Sequence, residues 1–155
     1  MNSNFKFQNS NSGSGFTLVE LLVSIAIIGI LSSIILFSIT RYINSGKDSN
    51  VEGNLAILVP AGEVYYNSYN NSYTGFCDSP VVHITSEQMP HSSDENCHES
   101  ATPGICCYEN SNGDAWAACA REFTDSTMAF CVDSRGYKKL IENERCKDPA
   151  NTRCE

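Results

Sequence analysis

Gly15-Phe16-Thr17-Leu18-Val19-Glu20, leading into the charge-free run 21–39, is the stretch that decides the fold of this chain. The run holds 19 residues without a formal charge. As a helix it spans roughly 29 Å at ~1.5 Å per residue, close to the hydrocarbon thickness of a bilayer. One membrane crossing is therefore expected. The preceding residues are mostly Asn and Ser, with Lys6 the single charged side chain. A conventional secretory signal fits poorly: the run is too long for its apolar core, and the flank Ser38-Ile39-Thr40-Arg41-Tyr42 lacks a small-x-small cleavage pattern. Cleavage on the N-terminal side, after Gly15, is the expected processing.

Glu20 is the costly residue of this segment. An ionised carboxylate in an apolar helix costs ~2.5–3.5 kcal/mol at the bilayer centre and persists where it has a partner or a role. Thr17-x-x-Glu20 matches a capping box, in which the carboxylate reaches back to orphan backbone donors at the positive end of the helix dipole. A second role follows from cleavage after Gly15, which leaves a cationic amine on Phe16. A neighbouring copy displaced by one helical turn would present that amine to Glu20, and a mismatch would strand both charges, so the pair would set axial register. Gly29, Ser32 and Ser33 interrupt the Leu/Ile surface, and Gly29-x-x-x-Ser33 is a small-xxx-small candidate for close helix approach.

Phe16-Thr17-Leu18-Val19-Glu20-Leu21-Leu22, preceded by Gly15 and continued by Ala26-Ile27-Ile28-Gly29-Ile30-Leu31, resembles the N-terminal signature of type IV pilins and the related pseudopilins. The resemblance implies that a membrane-embedded prepilin peptidase cuts after Gly15 and methylates the new amino terminus on Phe16. It further implies that mature subunits assemble, helix against helix, into a filament on an inner-membrane platform, with local unwinding near Gly29. Two positions depart from the family pattern: Ser14 stands where a basic residue is usual, and Phe37 where many members carry proline. Without that proline, any melted stretch is expected to stay within 29–33.

Beyond the run, Tyr42, Ile43, Val51, Leu55, Leu58 and Val59 recur at helical spacings, with Arg41, Lys47, Asp48, Glu52 and Asn54 between them, so an amphipathic helix should pack on a globular head. Pro60 and Gly62 predict either a kink or a stop followed by a second segment from Glu63. Tyr65, Tyr66, Tyr69 and Tyr73 are spaced to share one packed face.

All eight cysteines (Cys77, Cys97, Cys106, Cys107, Cys119, Cys131, Cys146 and Cys154) lie in the C-terminal part. An even count beyond a membrane run predicts a disulfide framework in an oxidising compartment. Zinc is disfavoured, since no Cys-x-x-Cys occurs and His83, His91 and His98 form no ligand pairs. Cys106 and Cys107 are expected to take different partners. A head rich in Ser, Asn, Asp and Gly offers little apolar area, while each closed loop contributes ~2–4 kcal/mol.

Ala115-Trp116-Ala117-Ala118-Cys119-Ala120, Met128-Ala129-Phe130-Cys131-Val132 and Tyr137-Lys138-Lys139-Leu140-Ile141 predict strands, with a turn at Asp133-Ser134-Arg135-Gly136. The string Phe130-Cys131-Val132-Asp133-Ser134-x-Gly136, with Trp116 upstream, resembles the terminal hairpin of a group of cysteine-containing bacterial pilins. Residues 77–112 lack periodicity and contain Pro80, Pro90 and Pro103, which predicts a long disulfide-held loop.

The net charge of -8 argues against a whole-surface nucleic-acid binder. Arg135, Lys138, Lys139, Arg145 and Lys147 form a local C-terminal concentration; solvated surface charge is the favoured reading, with DNA contact the minority one. Lys6 and the free amino terminus on one side oppose Arg41 and Lys47 on the other, so charge does not orient the span. No nucleophile motif, phosphate loop or metal signature rises above chance, and no enzyme activity or cofactor is expected.

The expectation is an α+β protein: a long N-terminal helix, half membrane-spanning and half amphipathic, packed on a small antiparallel sheet in a disulfide-rich head. Its parts would be a leader 1–15, a hydrophobic transmembrane and assembly helix 16–40, an amphipathic helix 41–74 and a cysteine-rich head 75–155. The resemblance implies a structural subunit of an extracellular type IV pilus serving adhesion, motility or DNA uptake. The alternatives are a minor pilin binding DNA or a surface, and a pseudopilin of a type II secretion system. Before assembly it would sit in the cytoplasmic membrane as a single-pass protein; afterwards its partners would be further copies and other pilins in an extracellular filament.

Overall fold

The computed structural model describes residues 15–90 and 104–155. Helix α1 covers Leu18–Ser68. The chain forms two units, one up to Ile39 and one from Thr40 to Glu155.

In the first unit every described side chain is exposed. α1 is the one helix among the described residues long and apolar enough to cross a membrane. Three of its hydroxyls return to the helix: Ser24 Oγ donates to the Glu20 carbonyl at 2.7 Å, Ser33 to Ile30 at 2.7 Å and Ser38 to Ile34 at 3.3 Å. No side-chain donor is left for the apolar surface to carry at those three positions.

In the second unit α1 buries Val51, Leu55 and Leu58, at the expected helical spacing. The helix runs through Pro60 and on to Ser68, so the stop-and-restart alternative is not taken. Pro60 removes one backbone donor, a defect of ~3 kcal/mol in an isolated helix. Here it faces solvent, while Leu55 and Leu58 before it and Gly62 after it are buried. Packing on both sides of the defect thus keeps the helix whole. Gly62 is what permits this. A Cβ at that position would meet Trp116 Cζ2 and Nε1 at 2.8 Å, so the indole lies directly on the helix backbone. α1 ends in left-handed residues Asn70 and Asn71, φ 54° and 57°, with the Asn71 amide returning to the Tyr66 carbonyl at 3.0 Å.

Helix α2 (Pro80–Glu87) follows, then strands β1 (Cys106–Glu109), β2 (Trp116–Arg121), β3 (Met128–Asp133) and β4 (Lys138–Glu142), and a single turn α3 (Asn143–Cys146). The sheet is an antiparallel meander in the order β1-β2-β3-β4. The three predicted strands and their turn are present.

The expected long loop 77–112 is corrected: it contains α2 and β1. Pro80 opens α2 at a position where its missing N–H is no loss, so proline there starts a helix rather than breaking one. In β1 three of the four side chains, Cys106, Cys107 and Tyr108, are buried, so no polar alternation marks the strand. Pro103 and the segment 91–103 lie outside the described residues.

Both faces of the sheet are covered. Cys107, Trp116, Ala118, Ala120 and Val132 join Val51, Leu55 and Leu58 of α1 in one core. Cys106, Ala117, Cys119, Ala129, Cys131 and Ile141 form a second core with Cys146 and Cys154. Alanine on both sides of β2 leaves room for these coverings.

Disulfides hold them in place: Cys77–Cys107, Cys119–Cys146 and Cys131–Cys154. Cys106 is also disulfide-bonded, and no described cysteine is free. Cys106 and Cys107 thus have different partners, as expected. Cys97 lies outside the described residues. Cys106, Cys119 and Cys131 are successive cross-strand neighbours in one row. Two of them bolt the C-terminal segment to the sheet, and the Tyr108 hydroxyl adds a bond to the Lys147 carbonyl at 3.2 Å.

Candidate assembly site and the polar nodes of the head

At the N-terminal end of α1, Thr17 and Glu20 form the predicted capping box. Glu20 Oε2 accepts from the Thr17 amide at 2.9 Å and the Thr17 hydroxyl at 2.8 Å, while the Glu20 amide donates to Thr17 Oγ1 at 3.3 Å. All three bonds use one carboxylate oxygen or the Thr hydroxyl. Oε1 has no donor among the described residues, so the box leaves one acceptor for a group from elsewhere. Phe16 is 79% exposed beside it. At Gly15 and Gly29 an added Cβ would meet nothing within 4 Å. Gly29 therefore has no packing role within one copy of the chain. Gly15 and Phe16 are adjacent to the box; Met1 to Ser14 lie outside the described residues.

In the head, three carboxylates organise loops. Asp48 of α1 is buried and accepts from the Phe123 and Thr124 amides at 2.6 and 3.1 Å, capping the β2–β3 loop. Lys47 stands over the Phe123 ring, 4.7 Å from its centroid. Glu109 of β1 accepts from the Gly75 and Phe76 amides at 2.7 and 3.0 Å, fixing the segment before α2.

Asp133, at the end of β3, has a fully buried side chain. It accepts from Arg135 Nη2 at 2.9 Å and from the amides of Arg135, Tyr137 and Cys154 at 2.9, 3.3 and 3.0 Å. Burial pushes its pKa up; the Arg135 guanidinium and these amides outweigh that and hold the carboxyl below its ordinary 3.8. These three nodes escaped the sequence reading except for the turn chemistry of Asp133-Ser134-x-Gly136, with Gly136 at φ 80°.

The tyrosines divide. Tyr65 and Tyr69 stack at 4.1 Å, and Tyr73 packs edge-on to Trp116 at 6.4 Å, but Tyr69 is largely exposed. Tyr65, Tyr66 and Tyr73 pack on one core, with Tyr73 against Tyr66 at 4.7 Å although it lies beyond the end of the helix; of the four, Tyr69 is the one left largely outside. The Tyr73 hydroxyl donates to Glu63 at 3.0 Å; burial, then that bond and the Glu63 charge, push its pKa up to about 12.

The C-terminal cations are unequal. Arg135 is bound to Asp133 and Glu155 and lies over the Tyr137 ring, and Lys147 is bound to Glu144 at 3.2 Å. Lys138, Lys139 and Arg145 have no ion pair among the described residues and are exposed. Among the described residues no cluster of His, Cys, Asp or Glu is arranged to hold a metal ion.

Residues 11–36 match the family model described as the prokaryotic N-terminal methylation motif. The chain is 48% identical over 46 residues to the type IV major alpha-pilin and to fimbrial protein Q, both of Moraxella bovis, which is 30% of this chain and 29% of each relative. It thus spans less than a third of the length of these curated relatives. No solved structure matches the chain. The long apolar N-terminal helix, the four-stranded antiparallel sheet and the disulfides form a pilin-like α+β architecture.

Proposed function

We propose that this chain is a prepilin whose mature form is a structural subunit of an extracellular type IV filament. The observation that carries this reading is the methylation motif at 11–36, which runs into the first part of α1, where every apolar side chain from 18 to 36 is exposed. Such a surface is stable in a bilayer or among like helices and nowhere in water.

In this reading a prepilin peptidase cuts between Gly15 and Phe16 and methylates the Phe16 amine. The subunit waits in the cytoplasmic membrane and an inner-membrane platform moves its helix into the filament. Glu20 supplies the register. Oε2 remains committed to Thr17, and Oε1 receives the cationic Phe16 amine of a neighbour. In low dielectric a displaced helix leaves both charges buried and unpaired, which costs several kcal/mol and selects one axial offset. Thr17 orients the carboxylate, and Gly29 gives the helix surface a place for close approach. The engagement of Arg135 and Lys147 in ion pairs weighs against a DNA-binding role for the C-terminal cations.

Terminal analysis of sheared surface filaments should begin at a methylated Phe16; assembled protein that starts at Met1 would overturn the assignment. Glu20→Ala should still insert and be cleaved, yet enter filaments poorly. Normal filament yield in a strain with only that variant would reduce Glu20 to a helix cap.

A further inference from the structure

The head carries an apolar groove that the described residues leave open. Val64 and Tyr65 of α1 and Tyr69 just past its end face Pro80 and Val81 of α2 around a cavity of about 380 Å³. Val64 is 67% exposed and Ile84, on the next turn of α2, 54%. Its rim is acidic: Asp78, next to the lining residue Ser79, is exposed and has no ion pair among the described residues. Burial, then Tyr69 and the charges of Glu109 and Asp78, raise the pKa of the Tyr65 hydroxyl, as expected beside a negative field.

The opposite flank of the head has the complementary character. β4 is an edge strand whose Lys138, Leu140 and Glu142 share one face; Leu140 is 46% exposed and Tyr137, just before the strand, 55%, so the Lys138 end of this face joins a cation to exposed apolar surface. Two observations place this edge away from the groove. The segment before α2 is tied to β1, the other edge of the sheet, by Cys77–Cys107 and by Glu109. Val59 of α1 faces the β3–β4 turn, 3.9 Å from a Cβ built on Gly136, and Ser68 in the groove lies about 180° around the helix from Val59 at 3.6 residues per turn.

We propose that these two surfaces dock on each other in successive copies of the chain, the Lys138 and Leu140 edge of one head seating in the Asp78-rimmed groove of the next. The cation meets Asp78 and Leu140 covers Val64 and Tyr69. Because the two patches differ and lie on opposite flanks, the contact is heterologous; it propagates from copy to copy instead of closing a dimer. The inference rests on the filament reading and names the head contact that reading requires.

The test uses the full chain in filament-forming cells. A photo-crosslinking phenylalanine analogue is placed at Val64, sheared filaments are irradiated, and adducts are mapped by mass spectrometry. The expected adduct joins position 64 to the peptide containing residues 137–141 of another copy. Adducts elsewhere on the chain, on another protein, or none in intact filaments would overturn the contact. In parallel, Lys138→Glu should lower filament yield about tenfold through like-charge repulsion, and Asp78→Lys in the same chain should restore it. A double variant no better than Lys138→Glu alone would also overturn it. If the unmodified chain forms no filament, the filament reading itself falls and takes this contact with it.

Discussion

Gly62 and Trp116 are the pair on which the head's packing turns. A helix interior normally loses ~1 kcal/mol by having glycine instead of alanine. At Gly62 the preference reverses, since an added methyl would stand 2.8 Å from two indole atoms of a fully buried ring. Gly62→Ala should destabilise the head by ~1–3 kcal/mol, the usual penalty of overpacking. Urea titration of detergent-solubilised protein, read by the single tryptophan, will measure it; equal or greater stability would mean that the ring moves aside freely. Asp133 makes a prediction with a pH sign. Its pKa is lower folded than unfolded, so its contribution is complete above the ordinary value of 3.8 and is lost as pH falls through the folded value. Asp133→Asn should cost about 1–3 kcal/mol at pH 7, by leaving Arg135 and the Cys154 amide poorly satisfied. The gap between variant and parent should shrink below about pH 4; a gap independent of pH would assign the loss to packing.

At the scale of elements, the C-terminal segment is a covering held by a few bonds. α3 is one turn, too short to persist alone, and its position over the sheet depends on Cys119–Cys146, Cys131–Cys154 and Asp133. Replacing Cys131 and Cys154 together by serine should lower stability by ~2–4 kcal/mol. Hydrogen exchange should accelerate first at Cys154 and Glu155 and leave the β1–β2 hairpin protected. Uniform acceleration across the head would show that the tail is not a separable covering. α1 has its own weak point. Gly29 has no packing partner within the copy, and Phe37 retains the backbone donor that proline lacks. A filament map should confine any melted backbone to 29–33; an extended segment through 37 would place control in assembly forces and not in local sequence.

For the molecule as a whole, oxidation state decides whether there is a head at all. Its strands are rich in alanine and its cores in cysteine, and disulfides of ~2–4 kcal/mol each rival the 5–15 kcal/mol net stability of an ordinary domain. Thiol labelling of denatured, unreduced mature protein should find no free cysteine, and reduction should expose eight. Reduction should also abolish the near-ultraviolet signal of Trp116. A reduced protein that retained it would show that the apolar cores suffice without the bonds.

The N-terminal helix was legible from sequence because its determinants are local: an uninterrupted apolar run and the Thr-x-x-Glu box that opens it lie within one segment. The strands β2, β3 and β4 were legible for a similar reason, since apolar runs and the Asp-x-x-Gly turn mark them residue by residue. Tertiary structure decided what depends on distant partners. Helix α1 passes Pro60 because Trp116 and its neighbours hold both sides of it on one sheet, and no window around Pro60 contains that information. β1 was hidden because both of its faces are buried, which erases alternation. Which cysteines pair is likewise set by the cross-strand register that lines up Cys106, Cys119 and Cys131. The roles of Asp48, Glu109 and Asp133 belong to the same class: a carboxylate becomes a loop clamp only when folding brings amides from as far as 76 positions away to its oxygens.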